Sequence, residues 1–359
     1  MKRLLLLGGG HAHLQVLNAF AARPPDGAEL RLVTPHARLW YSGMLPGWVA
    51  GHYAQEECTV PLAAPARRAG ATLHEAQAVG LDAAARRVRL DDGRVLEYDL
   101  LSLDTGGVPD LDGLPGAAAR GLALRPIEAF VARWQAAGPP RRLVVVGGGA
   151  AGAELALAAA WRWRGRTAVA LVCGAGGLLA SHPPGVRGHM RRAAARLGVA
   201  LHERRGAAIE AGGVRLDDGR LLEADQVLLA LGVAAPPWLR GSGLALDAQG
   251  FVATGATLQS LSHPEVFAAG DVASCIDQPR PRSGVYALRA GAPLAHNLRA
   301  ALAGAPLQPY VPQRHALNLL SCGTRRAVAS WGPFAAEGAW VWRWKDAIDR
   351  RFVARHAGP

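Results

Sequence analysis

The chain has 359 residues, half of which are hydrophobic, and a formal net charge of +12. This length allows two or three domains with cores of their own, and the composition excludes a disordered chain. The positive charge comes almost entirely from arginines scattered among Ala and Gly. That distribution indicates a solvated surface rather than a nucleic-acid patch, so we expect no nucleic-acid partner.

The four cysteines lie far apart in the sequence, and no Cys-x-x-Cys pair occurs. This spacing predicts neither a zinc ribbon nor a local redox dithiol, so no metal site is expected. Unpaired cysteines are typical of a reducing compartment. The leucine run after Arg3 is too short for a signal peptide or a membrane span. We therefore expect a cytoplasmic protein.

The first predicted element is a buried strand at Leu4–Leu7, which runs into three glycines. Gly8 and Gly10 permit a tight turn in which no side chain obstructs a pyrophosphate. The helix predicted over His13–Ala22 directs its first N–H groups to the same place. His13 stands where the third glycine of a Gly-x-Gly-x-x-Gly motif usually lies. Alone, this match is weak evidence for a nucleotide site.

The next strand is predicted over Glu29–Thr34, and Thr34 ends it where an acidic residue often binds a ribose hydroxyl. The loop at 39–47 follows, and it includes Met44 and Pro46. It lies just beyond the carboxyl end of a strand, where ligands bind in such sheets. The loop either covers part of a bound cofactor or packs as an ordinary connection.

A second copy of the glycine motif strengthens the evidence for nucleotide binding. The valine-rich segment 143–146 leads into Gly147, Gly149 and Gly152, which complete a Gly-x-Gly-x-x-Gly pattern. The second strand of this unit ends at Cys173, again without an acidic residue, and no arginine follows closely. The choice between NADH and NADPH is therefore open at this point.

A longer repeat connects the two motifs. Residues 88–99 recur almost unchanged as residues 214–225, and each copy holds an Asp-Gly turn between short alternating segments. This is typical of a tight β-hairpin. Each hairpin precedes a buried strand, at 100–103 and at 227–230. The course of strand, glycine turn, helix, strand, hairpin and closing strand therefore occurs twice.

A third motif and the tail complete the chain. A strand ends in Gly270, and Asp271 is predicted at a helix start, either as a ligand to a polyol chain or as a simple N-cap. Another helix is predicted over Gly284–Leu302. The alternation of Trp340, Trp342 and Trp344 predicts a strand, followed by a short basic helix to residue 355. This Trp/Arg segment suits a peripheral membrane contact on the inner face of the membrane, a homodimer interface or simple core packing.

These motifs together resemble the FAD-dependent pyridine nucleotide-disulfide oxidoreductase superfamily. More narrowly, they look like its type II NADH dehydrogenase-like branch, and they are similar to the oxidoreductase module found fused to selenide, water dikinase. The resemblance implies an α/β fold with two Rossmann-like three-layer dinucleotide-binding domains and a small C-terminal α+β region. It implies an FAD domain at 1–112 and 234–305, an inserted NAD(P)H domain at 113–233, and an interface region at 306–359.

The resemblance also implies roles for individual residues. The candidate FAD ligands are Gly8, Gly10, His11, His13, Thr34, Met44, Pro46, Thr105, Gly106, Gly270 and Asp271. The candidate NAD(P)H ligands are Gly147, Gly149 and Gly152. Glu154 matches a position near the nicotinamide, and Tyr286 with Arg289 is placed on the side of the acceptor, so these three are the candidate catalytic side chains.

Two departures leave the acceptor unidentified. The paired redox cysteines of the disulfide reductases are absent, and the glutamines of the quinone-reducing members are absent from segment 284–290. We expect hydride transfer from NAD(P)H to FAD and then electron transfer to a small acceptor. One alternative is a sulfide- or selenide-oxidising flavoprotein that uses Cys173 or Cys322. Another is a non-catalytic FAD-binding partner module.

Overall fold

The computed structural model describes residues 1–358. The strands up to the first closing strand are β1 (Lys2–Leu7), β2 (Ala28–Thr34), β3 (Arg38–Trp40), β4 (Thr59–Pro61), β5 (Ala71–Glu75), β6 (Ala78–Asp82), β7 (Arg87–Leu90), β8 (Val95–Glu97) and β9 (Leu100–Leu103). The following strands are β10 (Val108–Pro109), β11 (Leu122–Ala123), β12 (Arg142–Val146), β13 (Ala168–Val172), β14 (Ala200–His202), β15 (Gly206–Glu210), β16 (Gly213–Leu216), β17 (Leu221–Glu223), β18 (Gln226–Leu229) and β19 (Val233–Ala234). The remaining strands are β20 (Val252–Thr254), β21 (Val266–Ala268), β22 (Ala273–Cys275), β23 (Asn318–Ser321), β24 (Ala327–Trp331) and β25 (Phe334–Gly338).

The α-helices occur between and after these strands. They are α1 (His11–Ala22), α2 (Leu45–Val49), α3 (Ala63–Arg68), α4 (Ala117–Arg120), α5 (Ile127–Ala137), α6 (Ala150–Arg162), α7 (Pro184–Arg196), α8 (Gly284–Ala303) and α9 (Ala339–Ala357). None of the helices described in residues 1–358 combines the length and the apolar character that a bilayer crossing requires.

Two parallel five-stranded sheets form the centre of the molecule. Their strand orders are β21-β9-β1-β2-β5 and β11-β18-β12-β13-β14, so each position in one sheet has a counterpart in the other. The central strands are continuous apolar runs because both faces of a parallel sheet are covered; Leu4, Leu6 and Leu7 of β1 have no exposed surface. The predicted α/β fold with two Rossmann-like units is confirmed.

The repeated hairpins form two equivalent small sheets, β6-β7-β8 and β15-β16-β17. Their turns contain Gly93 and Gly219, both with φ of +85°, a left-handed conformation that glycine adopts without strain. Each small sheet also carries a register shift between its first two strands. The internal repeat predicted from residues 88–99 and 214–225 therefore extends to matching backbone conformation.

The chain crosses twice between the halves, and the two crossing segments pair with each other. β10 and β19 form a short antiparallel ladder in which Val108 faces Ala234 and Pro109 faces Val233. The strands of the first five-stranded sheet come from residues 2–103 and 266–268, and those of the second from 122–229. The domain boundaries predicted near residues 112, 233 and 305 stay predictions.

Three local predictions are corrected by the structure. Asp271 lies in a single 3₁₀ turn, Gly270–Val272, and not at the start of a helix, because β22 follows at once and pairs with β20. The loop at 39–47 contains β3 and the start of α2, with Pro46 in the first turn, where proline is tolerated. The strand predicted through Trp340–Trp344 is wrong, because these residues belong to α9.

Helix α9 is positioned by a stripe of buried residues at helical spacing: Val341, Lys345, Asp349, Val353 and His356. It packs against the antiparallel β23-β24-β25 sheet, against α3 and against β4. The buried stripe includes two charged residues, so the apolar periodicity that would reveal a helix is masked in the sequence. The tail therefore closes one side of the molecule as a small α+β unit.

The contact between α1 and α8 is a close helix–helix approach that depends on Gly291. A Cβ atom at this position would lie 2.8 Å from the Ala12 carbonyl oxygen and 2.5 Å from the Gln15 Cβ atom. We predict that Gly291→Ala destabilises the fold by about 1–2 kcal/mol, because overpacking outweighs the gain in helix propensity.

Gly188 in α7 is the matched control, since a Cβ there meets only the flexible end of Arg192 at 3.5 Å. Gly188→Ala should raise the free energy of unfolding by about 0.5–1 kcal/mol. Urea denaturation of both variants measures this difference. Equal stabilisation by the two substitutions would contradict the close packing of α1 on α8.

Candidate active site

The turn after β1 is held against the end of the closing strand β9. Gly8 has φ of +94°, and a Cβ atom on it would collide with the carbonyl oxygen of Asp104. The Gly8 N–H donates to Val33 O (2.8 Å), and the Asp104 N–H donates to Leu7 O (2.8 Å). Only glycine satisfies both the positive φ and this close approach. The turn therefore presents bare backbone at the carboxyl edge of the sheet.

The second half repeats this arrangement at the same points of the fold. Gly147 has φ of +132°, and a Cβ atom on it would collide with the carbonyl oxygen of Ala230, the residue directly after β18. The Gly147 N–H donates to Val172 O (2.9 Å), and the Ala230 N–H donates to Val146 O (2.9 Å). Gly152 lies under the same turn, where a Cβ atom would collide with Gly147 O. Both halves are therefore built as the same backbone cradle.

Asp104 is a central residue of the first cradle that the sequence reasoning did not select. Its carboxylate accepts a hydrogen bond from the His13 N–H (2.9 Å) and lies where Cβ atoms on Gly10 and Gly270 would be. Burial raises the pKa of this carboxyl well above its ordinary value, and the backbone N–H groups of His13 and Ala12 oppose that rise. A carboxylate directly after a fully buried strand was the available signal.

The two histidines of the first motif behave differently. His13 is fully buried, and its ring nitrogens lie 2.6 Å from Gly8 O and 2.8 Å from Ser102 Oγ, so both are engaged within the protein. The Nε2 atom of His11 is buried and has no hydrogen-bond partner among residues 1–358. Burial lowers the pKa of His11 to about 4, so its ring is neutral at pH 7. His11 therefore keeps one polar atom available for a ligand.

The residues of the first cradle fit a bound dinucleotide. Besides His11 Nε2, the Thr105 hydroxyl is buried without a partner in the described residues, and it follows Asp104 at the edge of the sheet. Gly106 has φ of +70° and lies 3.9 Å, measured from its Cβ position, from Arg125 Nη1. Orphaned polar groups around a glycine turn are what an absent polar ligand would satisfy.

The second cradle opens onto a cavity of about 260 Å³. A Cβ atom on Gly149 would meet no heavy atom of the described residues within 4 Å, so the turn is open on this side. The cavity is lined by Asp110, Gly113, Leu114, Val146, Gly147, Gly148, Val172, Cys173, Gly174, Arg205, Gly206, Leu231 and Gly232. Its position at the ends of β12, β13 and β18 is where a second dinucleotide binds in such sheets.

The other predicted FAD ligands lie around the first cradle in different roles. Asp271 pairs with Arg125 (2.9 Å) and is itself mostly buried. Thr34 is buried, with its hydroxyl 3.1 Å from a Cβ position on Gly9. Met44 is fully buried and Pro46 is buried in α2, so both side chains belong to the core around the cradle.

Glu154 connects the second half to the C-terminal unit. Its Oε1 atom accepts a hydrogen bond from the Ser321 N–H of β23 (2.7 Å). Burial raises the pKa of Glu154 to about 7, and the positive charge of Lys345 opposes this rise. Lys345 in turn is buried, pairs with Asp349 (2.5 Å) and donates to Gly43 O (2.6 Å). A proton-accepting group thus lies where the two halves and the tail meet.

Tyr286 and Arg289 lie near the start of α8. Tyr286 is partly buried and Arg289 is exposed. A Cβ atom on Gly284, two residues before Tyr286, would lie 3.9 Å from His11 Nε2, so this end of α8 borders the first cradle. The start of α8 therefore borders the first cradle, Tyr286 and Arg289 follow on the same helix near Tyr310, and Glu154 lies beside the tail.

The cysteines are all buried, and no disulfide forms in residues 1–358. Burial raises the pKa of Cys173 to about 11 and that of Cys322 to about 12. The Cys322 Sγ atom lies 3.9 Å from Met190 Sδ. Reactive cysteines need a lowered pKa, and the pKa of each of these two is raised instead.

Two dinucleotide cradles built on the same plan define the class: a flavin- and pyridine-nucleotide-binding oxidoreductase fold. Comparison with known proteins agrees. Residues 2–291 match the family model described as "Pyridine nucleotide-disulphide oxidoreductase". The chain belongs to this family, and it is an FAD-dependent enzyme that uses NADH or NADPH.

Related proteins span several activities. The demethylphylloquinone reductase NdbB of Synechocystis sp. is 28% identical over 351 residues, which cover 91% of this chain and 86% of that one. The ferredoxin–NAD(+) reductase component of the biphenyl dioxygenase system of Paraburkholderia xenovorans is 36% identical over 205 residues. That match covers 54% of this chain and only 48% of the relative.

Solved structures show the same fold at low sequence identity. The NDH2 of Plasmodium falciparum, in complex with NADH, has a TM-score of 0.80 and 12% identity and covers 100% of this chain and 99% of its own. The sulfide:quinone oxidoreductase of Aquifex aeolicus has a TM-score of 0.79 and 18% identity, covering 99% and 92%. At these identities the likeness concerns the fold alone.

The raised pKa of Glu154 predicts a pH-dependent stability. The folded state binds this proton more tightly than the unfolded chain, whose pKa lies near 4.5, so the contribution is present below that value and is lost as the pH rises through about 7. We predict that Glu154→Gln makes the Tm fall less between about pH 5 and about pH 8.

The exposed Glu56→Gln is the control, since it should leave the pH dependence of the Tm as it is in the parent protein. Differential scanning calorimetry across this range measures all three proteins. If the curves of the parent and of Glu154→Gln are parallel, the proton of Glu154 is not coupled to folding.

Proposed function

We propose that this protein moves hydride from NAD(P)H to FAD and then passes the electrons to a small quinone-type acceptor. The observation that carries the proposal is the equivalence of the two cradles, Gly8 under Asp104 O and Gly147 under Ala230 O. One cradle for each dinucleotide is the minimum that such a transfer needs. FAD, when bound, supplies the hydride chemistry, while the protein supplies binding, orientation and electrostatics.

The residues of the first cradle would hold FAD. The turn at Gly8–Gly10 would present backbone N–H groups to the pyrophosphate. His11 Nε2 and the Thr105 hydroxyl, both buried and unpartnered within residues 1–358, would receive polar groups of the ligand. Asp271, oriented by Arg125 at 2.9 Å, would accept hydrogen bonds from the ribityl chain.

The second cradle would hold the donor. Gly147, Gly149 and Gly152 would approach the pyrophosphate of NAD(P)H, and the open side of Gly149 leaves room for it. Glu154 would position the nicotinamide, and a pKa of about 7 allows it to hold or release a proton near neutral pH. Hydride transfer itself needs no protein acid or base, so its role is positioning.

The acceptor side would be formed by Tyr286 and Arg289 at the start of α8. The relative that aligns over 91% of this chain is named a demethylphylloquinone reductase, which supports a quinone. The glutamines of other quinone-reducing members are missing from segment 284–290, so the contacts with the ring would be made differently. The raised pKa values of Cys173 and Cys322 argue against electron entry from sulfide or selenide.

Gly149→Val provides a test of the donor half. The backbone of Gly149 is extended (φ −75°, ψ −177°), so valine fits the turn, and its side chain would occupy the open space beside the turn. We predict a yellow protein whose KM for NAD(P)H rises by about tenfold or more, while dithionite still bleaches the flavin. Stopped-flow absorbance under anaerobic conditions measures both reactions.

Gly241→Val is the matched control, because a Cβ atom there also meets nothing within 4 Å of the described residues, and Gly241 is exposed and remote from the cleft. It should reduce with NAD(P)H as the parent protein does. Purified parent protein without flavin, or with a flavin that neither nicotinamide bleaches, would refute the proposed function.

The C-terminal unit exposes an aromatic surface that suits a membrane. Trp340 and Trp344 are 53% and 42% exposed on successive turns of α9, with Ile348 one turn further. In the same C-terminal unit, the exposed Trp331 and Phe334 stack across the β24–β25 turn with 6.3 Å between ring centroids. Indole rings beside arginines are typical of a peripheral membrane contact, which would give access to a lipid-soluble quinone.

We predict that the double variant Trp340→Ser/Trp344→Ser lowers binding to anionic phospholipid vesicles severalfold, because it removes the interfacial indoles. Val95→Ser, an equally exposed apolar residue on β8, is the control. Cosedimentation measures binding, and light scattering measures the mass in solution. Unchanged cosedimentation together with loss of a dimer would assign this surface to a homodimer instead.

A further inference from the structure

The cleft of the second half lacks the acidic residue that selects NADH. In dinucleotide-binding folds, an Asp or Glu at the end of the second strand binds the 2′-hydroxyl of the adenosine ribose. Here β13 ends at Val172, and the next residues, Cys173 and Gly174, line the cavity. Neither offers a carboxylate. Neither residue would repel a phosphate on the ribose.

An arginine from the segment that follows the neighbouring strand, β14, lines this edge of the cleft. The Cys173 N–H donates to His202 O (2.8 Å) and the Gly174 N–H to Arg204 O (3.0 Å), so the segment after β14 lies directly beside the end of β13. The next residue, Arg205, lines the same cavity as Gly147 and Gly148. Its distance from Cys173 in the sequence hides this proximity until the chain is folded.

The guanidinium of Arg205 is available for a ligand. The exposed side chain of Arg205 has no hydrogen bond or ion pair with any residue in the described part of the chain, whereas its backbone N–H donates to Asp217 Oδ2 (3.2 Å). The adjacent Arg204 is instead paired with Asp218 (3.7 Å). Arg205 thus has a guanidinium without an ion-pair partner in residues 1–358 at this edge of the cleft.

Four acidic residues lie near Arg205, and two of them form ion pairs with other arginines. Glu203, two residues before Arg205, forms an ion pair with Arg191 of α7. Asp218, the partner of Arg204, also forms an ion pair with Arg220 (2.8 Å). Asp217 accepts the backbone N–H of Arg205 (3.2 Å), and Asp110, which follows β10, lines the same cavity. None of these four carboxylates forms an ion pair with the Arg205 guanidinium in residues 1–358.

We propose that NADPH is the preferred donor and that Arg205 selects it by binding the 2′-phosphate. This rests on the proposed function for the identity of the cleft as the donor site. Guanidinium and phosphate match as bidentate, charge-assisted partners, and the 2′-phosphate is the only chemical difference between the two donors. NADH has a hydroxyl in place of this phosphate, which leaves the Arg205 guanidinium without an ion-pair partner and adds little binding free energy.

The test compares binding of adenosine 2′,5′-bisphosphate and adenosine 5′-monophosphate by isothermal titration calorimetry to the parent protein, Arg205→Ala and Arg204→Ala. We expect the bisphosphate to bind the parent at least about tenfold more tightly than the monophosphate. Arg205→Ala should remove most of this difference, and Arg204→Ala should keep it. In anaerobic kinetics, the ratio of kcat/KM for NADPH to that for NADH should fall by a similar factor in Arg205→Ala.

Three results would overturn the inference: equal binding of the two adenosine phosphates to the parent, an equal loss for both in Arg205→Ala, or the same loss in Arg204→Ala. The second would mean that Arg205 stacks on the adenine, and the third that net charge alone is sensed. Tight binding of the bisphosphate to a protein whose flavin neither nicotinamide reduces would instead refute the proposed hydride transfer and leave this site standing.

Discussion

The rest of this structure depends on two glycines, each packed against the carbonyl group that follows a central strand, β9 or β18. Gly8 lies under Asp104 O and Gly147 under Ala230 O, each at a positive φ and each too close for a side chain. The approach fixes strand, turn and helix relative to one another and leaves bare N–H groups at the sheet edge. Because this close approach occurs in both halves, the chain contains two copies of the same nucleotide-binding turn. The two copies can bind two different dinucleotides.

The C-terminal unit contacts both halves of the molecule. Buried Lys345 on α9 forms an ion pair with Asp349 (2.5 Å) and donates a hydrogen bond to the Gly43 carbonyl near the first cradle. Its positive charge also opposes the rise in the pKa of Glu154, which lies beside the second cradle. The Ser321 N–H holds Glu154 from β23. A buried charged network of this kind is costly unless every member is paired, so it positions its members strongly. The tail thereby sets the geometry between the halves as well as covering them.

Much of the fold could be predicted from local pattern. The glycine turns, the repeated Asp-Gly hairpins and the apolar strands each have a physical signature within a few residues. Local sequence pattern gave a wrong prediction where tertiary packing determines the secondary structure. Trp340, Trp342 and Trp344 alternate like a strand, yet the buried face of α9 includes Lys345 and Asp349, whose ion pair is invisible to hydrophobic periodicity. Asp104 was overlooked because its partners, Gly10 and Gly270, are distant in sequence, and Arg205 reaches the cleft only through the pairing of β13 with β14.

The central claim is that the first cradle holds the flavin and the second holds the nicotinamide nucleotide. The most direct measurement is a crystal structure of the purified protein with its own flavin, soaked with NADP⁺. The account predicts the flavin dinucleotide across Gly8–Gly10 and the nicotinamide dinucleotide across Gly147–Gly149. A flavin bound in the second cleft, or a first cradle closed by side chains with no nucleotide in it, would contradict the account.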